Sequence, residues 1–112
     1  MKTGLYDAKD YILRKLPWDL SRPRYMDFQK ETIERIAEVD TGFPARLRAA
    51  ALRILEDEER EDALRRGLTV LAFVGHSGDI AAVERYCSHH DSEVAKFAKT
   101  CLFELKRNAK SA

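Results

Sequence analysis

No run in this sequence approaches the roughly 20 consecutive apolar residues that a membrane span requires. Met1–Asp10 also lacks the apolar core of a secretion signal, so the chain is expected to work in the cytoplasm, away from membranes. Cysteine is scarce. The two present, Cys87 and Cys101, stand well apart in the chain with no CxxC spacing, which excludes a disulfide scaffold and a zinc-finger layout and suits reduced thiols. Three prolines and five glycines in 112 residues rule out a polyproline or flexible-linker composition. An excess of one charge is missing too. Twenty basic and nineteen acidic side chains leave a formal +1 and an isoelectric point near 7.8. That is too little excess for a protein that relies on net basicity to hold phosphate, and it argues against nucleic acid as the main partner.

Catalytic signatures are lacking as well. Gly75-His76-Ser77-Gly78 is one residue short of the G-x-S-x-G elbow and follows a helical pattern instead of a strand, so it reads as an interhelical turn. Cys87, His89 and His90, even with His76 or Cys101 added, match no zinc spacing. His89 and His90 instead suit the negative end of a helix. With no acid pair, P-loop or glycine-rich phosphate cradle, the expectation is a protein that is not an enzyme, with no catalytic residue, cofactor or metal.

What the chain does have is apolar content of 45% beside 35% charge, enough for one core, and the whole of 1–112 reads as a single domain, monomeric when free. Within it one helical pattern is written twice. Ala63, Gly67, Val70, Leu71 and Val74 fall on Val94, Ala98, Cys101, Leu102 and Leu105 at one constant offset, and its length is typical of stacked helical repeats. Between the copies lie the Gly75–Gly78 turn and a second apolar-periodic segment, Asp79 to about Ser88. The unit is thus two helices and a tight turn, an architecture that builds binding surfaces.

The stretch Asp91-Ser92-Glu93-Val94-Ala95-Lys96-Phe97-Ala98-Lys99-Thr100-Cys101-Leu102 resembles the first-helix pattern of HEAT repeats, D-P-x-V-R-x-x-A-x-x-A-L. Gly78-Asp79 resembles the Gly-Asp opening of that family's second helix. A fainter echo runs from Leu47 to Leu55. Ser92 stands where the family has proline and Ala95 where it has arginine, which removes the arginine an Asp–Arg ladder between repeats would need at this step. The resemblance implies an all-α, α-α superhelix of antiparallel helix pairs, and a protein that binds other macromolecules, most often protein.

Along the chain, about six helices are expected, with the repeat-like part at 61–107 and a helical extension at 5–56 in front. The first, Asp7–Leu16, stops at Pro17. The second runs from about Arg24 to Val39 with Met26, Phe28, Ile33, Ile36 and Val39 as its inner face, and Gly42 ends it. Pro44 opens the third, which carries Leu47, Ala51, Leu52, Ile54 and Leu55 and ends near Glu56. The fourth, Glu61–Val74, contains Leu68–Val74, which periodicity alone would allow as a buried strand; the second copy of the pattern reads as helix and decides the case. The fifth and sixth complete the stack. In the repeat register Cys101 takes a small core position, so it is read as packing.

Charge is unevenly spread. Residues 1–48 carry ten basic and eight acidic side chains, 49–79 four and seven, and 80–112 six and four. The middle excess is one cluster, Glu56-Asp57-Glu58-Glu59-Arg60-Glu61-Asp62, at the turn between the third and fourth helices. Such a run is either a solvated helix start or an acidic knob that docks into a basic cleft. A nucleic-acid binder would instead need Arg14, Lys15, Arg22, Arg24, Arg46 and Arg48 on one side, extended by Arg65, Arg66, Lys106 and Arg107, with Trp18 and Tyr25 stacking. Trp18, Tyr25 and Phe43 stand near prolines, as core satellites or partner anchors.

The reading that follows is a small module too short to scaffold an assembly and suited to occupying one site on one protein. In size and solubility it resembles small bacterial immunity proteins, which block a cognate toxin. The expected contact residues are Glu56, Asp57, Glu58, Glu59, Glu61, Asp62 and Trp18, facing a basic toxin domain such as a nuclease. The alternatives are a nucleic-acid-binding HEAT-like protein and a general adaptor.

Overall fold

A computed structural model describes residues 12, 13 and 23–111. These form five α-helices, and no strand is present among them: α1 (Pro23–Val39), α2 (Phe43–Asp57), α3 (Glu61–Val74), α4 (Ile80–Glu84) and α5 (Ser92–Ser111). Ile12 and Leu13 are also helical. The rest of the expected Asp7–Leu16 helix lies outside the described residues. None of the described helices is long and apolar enough to cross a membrane.

α3 is the centre of the structure. It buries Ala63, Leu64, Gly67, Leu68, Thr69, Val70, Leu71 and Ala72, and its second half, Leu68–Val74, has no charged side chain, so that half must be covered on several sides. α2 packs on one side of it and α5 on another. Ile12 is buried in the same core, and its carbonyl accepts a hydrogen bond from Arg66 at 3.0 Å. The buried Thr69 hydroxyl donates to the Arg65 carbonyl one turn back, at 2.9 Å. Leu68–Val74 is helical, as its second copy predicts. Gly67 lets α2 come close, because a Cβ there would lie 3.3 Å from Ile54 Cγ2 and 3.4 Å from the Ala51 carbonyl oxygen.

The offset of the sequence repeat reappears as contact. Arg48 on α2 makes two hydrogen bonds to the Asp79 carboxylate, 2.8 and 2.7 Å long. Two turns further along both elements, the Tyr86 hydroxyl donates to the Leu55 carbonyl. Both links span the same separation of 31, so α4 and its flanking turns run beside α2 in the same direction. α5 likewise follows α3. Ala63 and Val94, Gly67 and Ala98, Val70 and Cys101 are buried in pairs at the same offset, and Leu105 reaches Gly75 at the end of α3.

Three expectations are corrected. On α1 the buried residues are Met26, Gln29, Ile33 and Ile36, spaced three, four and three apart, whereas Phe28 is 54% and Val39 73% exposed. Phe28 lies about 200° around the helix from Met26, and Val39 is the last residue of α1. The expected continuous helix over Asp79–Ser88 is a 3-10 turn (Ser77–Asp79), the five-residue α4 and a second 3-10 turn (Arg85–Ser88). Ile80, Val83 and Tyr86 recur at every third position, the period of the tighter helix. Gly42 keeps a right-handed backbone, φ −85° and ψ −3°, and caps the start of α2. α1 ends instead at Asp40, whose N–H bonds the Ile36 carbonyl at 2.9 Å and whose carboxylate pairs with Arg46. Phe43 is fully buried, a core residue and not an anchor.

Candidate protein-binding surface

The acidic cluster forms the outer end of the α2–α3 hairpin. Glu58 and Arg60 both have extended backbones, so three residues turn the chain between two long helices. The Glu58 N–H closes α2 on the Ile54 carbonyl at 2.9 Å, and the Arg60 carbonyl accepts the first helical bond of α3, from Leu64, at 3.1 Å. Immediately inside the turn Ile54, Leu55, Ala63 and Leu64 are buried, and Tyr86 holds the Leu55 carbonyl. The tip is thus mounted on core, which limits the ordering cost of any contact it makes.

Glu56, Asp57, Glu59 and Asp62 are exposed, while Glu58 and Glu61 are half-buried. Among the described residues two guanidiniums answer these six carboxylates. Arg53 lies 3.8 Å from Asp57 and Arg60 3.3 Å from Glu58, leaving an excess of four negative charges on the tip. Glu61 and Asp62 sit in the first turn of α3, where negative charge is favourable. Glu56 and Asp57 occupy the last turn of α2, where no basic residue is present and the helix dipole disfavours carboxylates. A helix-start explanation therefore covers only part of the cluster and leaves the rest without one. Trp18, the remaining expected contact residue, lies outside the described residues, as does the side chain of Tyr25.

Of the basic stripe that nucleic acid would need, Arg14, Lys15, Arg22 and the side chain of Arg24 lie outside the described residues, and four of its described arginines are engaged within the fold. Arg46 is paired with Asp40, Arg48 with Asp79, Arg66 with the Ile12 carbonyl and Arg107 with Glu104. The histidines are engaged locally: His89 Nδ1 accepts the Asp91 N–H at 3.0 Å, and the His89 and His90 rings stack 4.2 Å apart. Asp91 Oδ1 then caps α5 by accepting the Val94 and Glu93 N–H groups at 2.9 and 3.0 Å; these two bonds, Val94 foremost, hold its carboxyl below the usual range. The Gly75–Gly78 segment is an interhelical turn, fixed by the His76 N–H donating to Asp79 at 2.9 Å. No group of three His, Cys, Asp or Glu among the described residues is placed to hold a metal ion.

Two features escape a reading of the sequence alone. A groove of about 460 Å³ lies at the opposite end of the hairpin from the acidic tip, lined by Ile33, Pro44, Phe73 and Val74 together with Lys30, Glu34 and His76. Its residues come from three separated segments, which no local pattern connects. The other is a cationic face on α5, visible only when that helix is read around its circumference.

The fold defines an all-helical protein built on a central buried helix, with a charged hairpin tip. No family model, curated protein or solved structure matches the chain, so function is argued from the tip itself.

Proposed function

We propose that this protein binds one partner protein and blocks it, presenting the Glu56–Asp62 tip to a basic cleft. The single observation that carries the reading is the placement of Glu56, Asp57 and Glu59. They are exposed, they stand where the α2 dipole opposes them or in the connector itself, and most of their charge is uncompensated among the described residues. Such an arrangement costs a little stability and leaves a concentrated field, which speeds encounter with an opposite patch and repels wrong partners. The narrowest form of the proposal is an immunity protein of the bacterial kind, kept in the cytoplasm as a monomer, whose tip plugs the phosphate-binding site of a nuclease toxin. Trp18 is proposed as a second anchor on sequence grounds.

The wider architecture in this proposal is a HEAT-like stack in which the α2–α3 and α4–α5 pairs lie side by side. The Arg48–Asp79 and Tyr86–Leu55 links support it. Arg48–Asp79 supplies the kind of Asp–Arg tie between neighbouring pairs that Ala95 precludes one step later. Binding is tested by stopped-flow association of the captured partner with wild type and with Glu58→Lys, Glu59→Lys, Asp62→Lys. Association of the wild type is expected to be at least about tenfold faster at low salt and to slow as salt rises. Equal rates for the two proteins would remove the tip as a docking element.

A further inference from the structure

α5 buries Val94, Phe97, Ala98, Cys101 and Leu105 on one side. At about 100° per residue, Lys96, Lys99, Phe103, Lys106 and Arg107 fall within an arc of about 100° on the other side. All five are exposed, Phe103 at 63%. The two carboxylates of the helix's described side chains, Glu93 and Glu104, lie together at one margin of this arc, and Glu104 pairs with Arg107 at 2.6 Å. Among the described residues no carboxylate pairs with Lys96, Lys99 or Lys106. These three ammonium groups span about 15 Å of helix, at about 1.5 Å per residue, with an exposed phenyl ring between the second and the third.

We propose that this face of α5 binds single-stranded nucleic acid, with phosphates against Lys96, Lys99 and Lys106 and an unpaired base stacked on Phe103. Three considerations select this occupant. Protein interfaces are depleted in lysine and favour arginine as their cation, whereas lysine serves well as a point charge for phosphate. A helix lying in a bilayer surface needs a broad free apolar face, and the apolar face of α5 is spent on the core. Cations interleaved with an exposed aromatic are the combination that holds single strands, because every base offers a stacking face and a duplex does not. The balanced net charge of the whole chain does not bear on this, since six of the nineteen carboxylates are gathered at the α2–α3 tip and four of the eight lysines lie on α5. The surface is separate from the acidic tip and does not rest on the proposal made for it.

The test is fluorescence anisotropy of a labelled oligo-dT of roughly 20 nucleotides, longer than one binding site of this kind, titrated with the full chain over a range of sodium chloride. The expected dissociation constant is on the order of 10⁻⁵ M at about 50 mM salt, with a slope of log K against log salt near −2, from three phosphates at about 0.7 each. Lys96→Glu with Lys99→Glu weakens binding more than about tenfold. Phe103→Ala weakens it about tenfold while leaving the salt slope unchanged; both changes are on exposed positions, and circular dichroism checks that the variants are folded. Duplex DNA of the same length and anionic phosphatidylserine vesicles bind at least about tenfold more weakly. No binding at about 1 mM protein, unchanged affinity in folded Phe103→Ala, or equal affinity for duplex or vesicles would overturn the proposal.

Discussion

Arg48 and Asp79, distant in sequence, are joined by two hydrogen bonds of 2.8 and 2.7 Å. The carboxylate also accepts the His76 N–H, so one 4% exposed side chain both fixes the turn after α3 and ties α4 to α2. Burial pushes the Asp79 carboxyl up, but the Arg48 guanidinium and the His76 N–H outweigh it and hold the group below the usual aspartate value. A carboxyl lowered in the folded state stabilises above its unfolded value, about pH 4, and loses that contribution as pH falls through the folded one. Asp79→Asn should cost about 2 kcal/mol at pH 7, less than a fully buried pair because Arg48 is partly solvated. Urea denaturation should show the gap between wild type and variant closing below about pH 4. A gap that stays constant down to about pH 2.5 would refute the role given to this pair.

Glycine matters at one turn position and not at its neighbour. A Cβ on Gly75 would lie 2.5 Å from the Leu71 carbonyl oxygen and 2.7 Å from Leu105 Cδ2, while one on Gly78 meets nothing within 4 Å. Gly75→Ala should therefore destabilise by about 2 kcal/mol through overpacking. Gly78→Ala should be neutral, or stabilising by about 0.5 kcal/mol through the unfolded chain. Thermal melts of the two variants measure the difference directly.

The two thiols should differ sharply in reactivity. Cys101 is fully buried, and burial, reinforced by the charge of Asp79, pushes its pKa up to about 12. Cys87 is only half-buried. Thiolate is the reactive form, so iodoacetamide at about pH 8 should label Cys87 in the native protein and Cys101 only once urea unfolds it. Mass spectrometry of digested samples reads this, and native labelling of Cys101 at the rate of Cys87 would contradict the packing described.

Most of the helical order is legible in the sequence because the core is written at helical spacing. α1, α2 and α3 fall within a residue or two of their expected bounds, and the offset that aligns Gly67 with Ala98 is the offset that joins Arg48 to Asp79. Phe28 and Val39 mislead because apolarity alone does not assign a helix face. Gln29, buried between Met26 and Ile33 at their spacing, marks the true inner side. The short α4 reads as part of one regular helix, since a period of three and one of about 3.6 diverge little over so short a segment. The exposure of the acidic tip is legible from its composition, whereas the lysines of α5 stay hidden when charge is counted along segments instead of around a helix. The groove, assembled from α1, the start of α2 and the end of α3, has no trace in local sequence.

At the tip the two halves should respond differently to substitution. Replacing Glu61 and Asp62 with glutamine and asparagine removes favourable charge from the start of α3 and should lower stability by about 0.5 kcal/mol. The same replacement at Glu56 and Asp57 relieves the end of α2 and should raise stability slightly. Equal losses in denaturant melts would mean that all four serve the fold, leaving no reason for a docking role.

The most direct measurement is a pull-down from the native cell with wild-type bait and bait carrying Glu58→Lys, Glu59→Lys and Asp62→Lys, each with and without nuclease treatment, followed by mass spectrometry. The proposed function predicts one basic protein recovered in stoichiometric amount by wild type, unaffected by nuclease and lost with the reversed tip. Recovery of that nuclease-resistant protein by both baits, or the absence of any stoichiometric partner once nucleic acid is digested, would contradict it.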